Sequence, residues 1–312
     1  MHIKKIASLR IPTQKVRLGS SKNLPYVLVL PICVLSFILV LYPILQGIWI
    51  SLTDKTLGAA IGQKVNFVGL DNYFGLIHNS AFLASVRITI SYAILNVVFS
   101  VGAGLITALL VNRRFRGRGG IRALLTAPWA FPDVASVIIF VWILNSAFGV
   151  IGIVNQYLPF DTSGGWLTSS PYAFISIIGM SMWKTFPFYS IVLLSALQGV
   201  PDDLLEAATV DGAGPIQRFR AVTLPNIKAT LYLLGLLAFI FAFRQFSMIY
   251  LTTGGGPERD TETLVVSVYN TAFKYYDYAL SSAIGVAGLA ITFIAALAFL
   301  LLQNRSAKRA LS

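Results

Sequence analysis

Between Lys22 and Asp54 the chain carries no charged residue, and none occurs from Tyr278 to Asn304. About 20 consecutive apolar residues are enough for a helix to cross a bilayer, and both runs exceed that length. In hydrocarbon a backbone must satisfy its polar groups internally, which restricts such runs to helices. Of the 312 residues, 56% are hydrophobic and only 12% charged. A soluble body of this size needs a far more polar surface. The chain therefore reads as an all-α, polytopic membrane protein.

The same reasoning along the chain gives six transmembrane helices, near 25–50, 86–112, 121–147, 172–199, 226–250 and 279–304. Pro31, Pro43, Pro128, Pro132 and Pro187 fall inside them, where packing against neighbouring helices tolerates a kink. The first run follows a basic segment, 1–24, and lacks a small-residue cleavage site. It is also too long for a signal peptide, so it reads as an uncleaved anchor. A basic tail, 305–312, follows the last run, and 25–304 forms the membrane domain.

Net charge is +12, and its placement sets an orientation. Lys4, Lys5, Arg10, Lys15, Arg17 and Lys22 precede the first run, and Arg113, Arg114, Arg116, Arg118 and Arg122 follow the second. Arg218, Arg220 and Lys228 precede or open the fifth, and Arg305, Lys308 and Arg309 close the chain. Only Lys55, Lys64, Arg87, Arg259 and Lys274 fall on the other side. Cations stay cytoplasmic and attract anionic lipid, so both termini are expected in the cytoplasm. The arginines after span two read as a stop signal rather than a nucleic-acid patch.

Chemistry is poorly supported. Cys33 is the single cysteine and lies in an apolar run. No cluster of His, Asp or Cys suggests a metal or catalytic site, which argues against an enzyme. No G-x-x-x-x-G-K-[ST] sequence occurs, so the phosphate cradle of an ATPase is missing.

The most informative polar stretch is Glu206–Pro225, EAATVDGAGPIQRFRAVTLP, within a loop spanning 201–225. Pro201 with Asp202 and Asp203 suits a helix start. Asp211-Gly212 offers a left-handed stop, and Pro215 opens a second short helix that Leu224-Pro225 is expected to end. The pattern is Glu206-Ala207-Ala208, three residues, Gly212, nine residues, then Val222-x-Leu224-Pro225. It resembles the EAA loop of ABC-importer permeases, with Val222 where isoleucine is commoner. Further pieces place the resemblance in the carbohydrate-uptake branch (maltose, glycerol-3-phosphate and trehalose type), over roughly 25–304. They are Tyr42–Asp54, Phe67–Tyr73, the Trp183–Phe188 run, Leu197–Pro201 and Leu251–Pro257.

The resemblance implies a type I ABC-importer permease fold in a prokaryotic inner membrane, with no cofactor in this chain. It implies ATP and Mg on a partner ABC ATPase dimer, a second related permease subunit and an extracytoplasmic sugar-binding protein. Glu206 would contact the ATPase, Ala207 and Ala208 would allow close packing, and Asp211, Gly212, Leu224 and Pro225 would shape the loop. Sugar contacts in relatives map onto Ser181, Lys184 and Thr185, then Ala238, Ala242 and Gln245. The two alanines cannot hydrogen-bond a hydroxyl, a departure from the maltose pattern. Trp183 and Tyr189 are ring-stacking candidates.

Charges within spans are costly and rarely face lipid. Lys184 and Arg244 are thus expected either to line a polar cavity or to be paired internally, and Asp133 to pair with a cation. Two alternatives stay open: an anionic sugar or sugar phosphate as the solute, and an ion-coupled secondary transporter, which would need no EAA spacing.

Overall fold

The computed structural model describes residues 24–57, 62, 64–113, 115–157 and 164–309. The basic segment before Leu24, Arg114, Asp161 and the last residues of the tail lie outside them. Among the described residues there is no strand, only isolated bridges at Thr53–Phe67 and Thr56–Asp277. The chain divides into two compact units at Gln46 and Gly47.

In the first unit α1 (Leu24–Ser36) passes through a π-helical turn, Phe37–Leu41, into α2 (Tyr42–Ser51). Pro43 explains the widened turn. A proline has no N–H for the carbonyl four residues back, and its ring crowds that carbonyl. Here the Tyr42 N–H reaches Phe37 O, five residues back, instead.

The second unit opens at Gly47, within α2. Asn72 on α3 (Asp71–His78) donates from Nδ2 to Ser51 O and Thr53 O, both at 2.8 Å. Ser51 O closes the last helical turn and Thr53 O lies just beyond it, where no intrahelical donor is available, so the Phe67–Tyr73 stretch serves as a cap. Then α4 (Ser80–Asn112) crosses α8 (Tyr172–Gln198) along most of its length. The contact face of α4 is small and polar: Ala93, Asn96, Ser100, Gly104 and Ala108 are all buried. A Cβ on Gly104 would lie 2.7 Å from Tyr189 Cβ and 3.0 Å from Ser190 N. The backbones therefore approach closely because that residue has no side chain. Arg122 donates to Val111 O at 3.2 Å, so one of the stop-signal arginines also caps α4.

The third apolar run is not one straight span. It forms α5 (Arg118–Ala130) and α6 (Asp133–Ile143), bent by 95° at the break. Phe131 and Pro132 are both extended there, with ψ of 142° and 145°. Residues before proline disfavour the helical region, and here nothing restores it. A short α7 (Val150–Val154) follows. Among the described residues, counting the bent pair as one span gives up to six helices long and apolar enough to cross a membrane; otherwise there are five.

After α8 come α9 (Asp202–Val210), α10 (Pro215–Arg218), a π-helical turn at Phe219–Thr223, and α11 (Leu224–Phe243). Leu224-Pro225 does not end the second short helix as expected. Pro215–Phe243 is one continuous helical run, and the Leu224 N–H donates to Phe219 O. The π turn absorbs Pro225 just as the first one absorbs Pro43. The fifth span also stops at Arg244 instead of running to 250, and α12 (Ser247–Thr253) restarts after the turn. The turn sets Phe246 and Tyr250 against Tyr269 of α13 (Leu264–Phe273), with ring centroids 4.6–5.0 Å apart. Finally α14 (Tyr278–Arg309) packs on α13.

Candidate functional site

Two places gather the residues singled out from sequence. The first is the elbow between α9 and α10. Asp202 and Asp203 sit in the first turn of α9, where negative charge suits the helix dipole. Gly212 has φ +79°. Its N–H donates to Thr209 O at 3.1 Å and that of Ala213 to Ala208 O at 2.9 Å. This pair of bonds is a Schellman stop, which a left-handed glycine makes inexpensive. Gln217 Oε1 accepts from Gly214 N at 2.8 Å, and Arg218 Nη1 donates to Thr209 Oγ1 at 2.8 Å. The elbow is thus fixed by its own polar groups.

Its tip is exposed. Glu206, Ala207, Asp211, Gly212 and Pro225 are exposed, and Ala208 and Leu224 partly so. Val210 is 88% and Ile216 69% exposed. Composition alone did not single out these two apolar side chains. Their signal was position, on either side of a glycine that forces the chain to turn.

The second place lies between α4, α8 and the α11–α12 turn, about 14–26 Å along α8 from its end at Gln198. A small cavity of about 40 Å³ is lined by Tyr92, Asn96, Ser181, Thr185, Tyr189 and Gln245, with Phe241, Ala242 and Met248. Room of that size suits a water molecule. Tyr92 OH and Ser181 Oγ are 2.6 Å apart, and Thr185 donates to Ser100 Oγ at 3.0 Å. Of the residues singled out from sequence, Ser181, Thr185, Tyr189, Ala242 and Gln245 come together in this lining. Tyr92, Asn96 and Ser100, spaced four apart on α4, were missed; polar residues recurring at that interval in an apolar helix were the available signal.

The other singled-out residues go elsewhere. Trp183 makes an edge contact with Phe140, ring centroids 5.1 Å apart. Arg244 is exposed, caps the end of α11 and borders an apolar cavity of about 340 Å³ with Phe243, Leu264, Val268 and Ile284. Ala238 is buried in the core beside Leu234. Lys184 is buried, and its ammonium donates to Phe131 O, to Trp129 O at 3.3 Å and to Pro128 O at 3.4 Å. Asp133 Oδ1 lies 3.7 Å away.

Residues 100–312 match the family described as binding-protein-dependent transport system inner membrane component. The chain belongs to that family. Its relatives are transport-system permease proteins, so this permease is a transport subunit and not an enzyme. It is 35% identical to the trehalose/maltose transport system permease protein MalF of Thermococcus litoralis, over 92% of this chain and 94% of the relative. It is 31% identical to the sulfoquinovosyl glycerol transport system permease protein SmoG of Agrobacterium fabrum, over 86% of each. The sn-glycerol-3-phosphate transport system permease protein UgpA of the same organism is 30% identical, over 89% of this chain and 94% of that one.

A solved chain of the bacterial alginate ABC transporter, in complex with alginate pentasaccharide-bound periplasmic protein, superposes with a TM-score of 0.78. That match covers 93% of this chain and 98% of that chain at 20% identity. It establishes the fold, that of type I ABC-importer permeases.

Proposed function

We propose that this permease moves a sugar or oligosaccharide inward by alternating access, driven by an ATPase that docks on the α9–α10 elbow. The observation that carries the reading is the elbow itself. Gln217 and Arg218 brace it through Gly214 N and Thr209 Oγ1, yet Val210 and Ile216 stand exposed at its tip. Apolar side chains on a self-braced projection suit insertion into a cleft on another protein. Glu206 and Ala207, exposed on α9, add a polar contact and a flat approach. Closure of an ATPase dimer around ATP and Mg then moves α11 directly, because Pro215–Phe243 is one continuous helix.

A sugar fits the wall of the small cavity, which offers hydroxyl and amide groups from Tyr92, Asn96, Ser181, Thr185 and Gln245. A neutral solute is favoured, because Lys184 is engaged with carbonyls and Arg244 borders a different cavity. At about 40 Å³ the cavity must widen to admit a solute, so separation of α4, α8 and α11 is part of the cycle. The names of MalF and SmoG support a carbohydrate class. The reading includes a second, related permease subunit and an extracytoplasmic binding protein. Both termini and the elbow face the cytoplasm, as the cation bias supports.

The test is uptake of labelled maltose and trehalose by the assembled transporter in proteoliposomes. Wild-type uptake requires ATP. Glu206→Ala and Gly212→Val insert at normal levels but lose uptake by at least about tenfold, as expected for an interaction worth about 1.4 kcal/mol or more. Uptake that survives ATP depletion would instead favour ion coupling.

A further inference from the structure

The break in the third span leaves several backbone oxygens without helical partners. Pro128 O would accept from residue 132, which is a proline and has no N–H. Trp129 O and Phe131 O belong to the last turn of α5 and to the extended link after it, where the helix supplies no donor. Three unsatisfied carbonyls in a membrane interior are costly. They also form the negative end of the α5 dipole.

Lys184 reaches across from α8 and offers three N–H groups to these three carbonyls. Its side chain is only 10% exposed, and the Asp133 carboxylate at 3.7 Å completes a shell of four oxygens. Carbonyl oxygens and one carboxylate around a single positive charge make the coordination that hard monovalent cations prefer.

We propose that the Lys184 ammonium is a tethered resident cation that pins the bend of the third span, in a pocket that takes a free monovalent cation when the lysine is shortened. Lys184 is then a positioning residue for transport and not a solute contact. The transport arm of the test rests on the function proposed above; the stability arm does not.

The experiment uses full-length Lys184→Ala and Lys184→Met, purified with their partner subunits. Thermal unfolding is followed in choline, sodium, potassium and methylammonium chlorides. In choline both variants melt lower than wild type, by on the order of 5 °C. Potassium or methylammonium raises the Lys184→Ala midpoint with a saturating dose response. Neither cation moves wild type, or Lys184→Met, whose side chain fills the space without a charge. In proteoliposomes Lys184→Ala loses maximal uptake rate at unchanged KM and recovers at least about threefold with methylammonium, a gain of the order that a cation occupying the pocket supplies.

In a Cys33→Ser background, Lys184→Cys alkylated with bromoethylamine restores an ammonium at nearly the same reach and returns the wild-type midpoint. A Lys184→Ala midpoint indifferent to every cation overturns the proposal. So does a raised KM with full maximal rate, which would make the lysine a solute contact. A Lys184→Ala chain that accumulates in no buffer, methylammonium included, overturns it too.

Discussion

Gly104 is the sharpest test of how the α4–α8 seam is built. A methyl placed there would meet Tyr189 Cβ at 2.7 Å, Ser190 N at 3.0 Å and Tyr189 C at 3.1 Å. These atoms belong to the backbone or its first carbon, so no side-chain rotation relieves the clash. The helices must part until the separation nears 3.4 Å, where ordinary contact begins. Overpacking of this kind costs about 1–3 kcal/mol. Against it stands the gain of alanine over glycine in a helix, about 1 kcal/mol.

Gly102, on the same helix, has nothing within 4 Å of an added Cβ, so Gly102→Ala carries the helix gain without the clash. The gain is common to both variants and cancels in their difference. Gly104→Ala should therefore melt below Gly102→Ala by roughly 2–10 °C in detergent. The damage should also reach the cavity lining, because Tyr189 lies beside Gly104 and borders the cavity with Tyr92 and Ser181. Equal midpoints, or a more stable Gly104→Ala, would refute close backbone approach at this crossing.

Pro225→Ala supplies an N–H for Ala221 O, four residues back, and removes the cause of the π turn at Phe219–Thr223. Relaxation to a regular helix would turn the elbow by about 100° around the axis; uptake falls at normal expression and amide exchange at 219–224 slows, whereas unchanged exchange would exonerate the proline. The carboxylate of Asp54 accepts from Asn66 N at 2.7 Å and Asn66 Nδ2 at 2.9 Å, which holds its carboxyl below the ordinary aspartate range. Its stabilising effect is full above about pH 4 and is lost as pH falls through the depressed folded value. Protection of the Asn66 amide should follow that course, and Asp54→Asn should abolish the dependence.

Much of this architecture was legible in the sequence because membranes impose few solutions. The fourth span, read as 172–199, is observed as Tyr172–Gln198, and the glycine stop at 212 follows from local chemistry alone. What stayed hidden depends on partners distant in sequence. An apolar run reports how many residues can sit in lipid, not whether the helix is straight. Nothing near Lys184 announces that its ammonium serves residues more than 50 positions earlier. Likewise Tyr92 and Ser181, 89 positions apart, meet only where α4 and α8 cross.

The prolines show why local sequence underdetermines these helices. Pro187 stands inside α8, which continues from Tyr172 to Gln198. Pro43 and Pro225 widen the preceding turn, and a donor five residues on takes up the slack. Pro132 breaks its helix outright. Each proline removes one N–H and crowds one carbonyl, so the local insult is the same. The outcome follows from what else can satisfy the freed oxygens. A π turn keeps the carbonyls paired within the helix, and no external partner is needed. At Pro132 the presence of a buried ammonium makes a full break tolerable, since α5 can end on Lys184 and α6 can begin with Asp133 beside it. The bend and the lysine are thus one feature. A homologous chain that lost the lysine while keeping the proline would need to straighten the span, widen it, or bring another cation to the same oxygens.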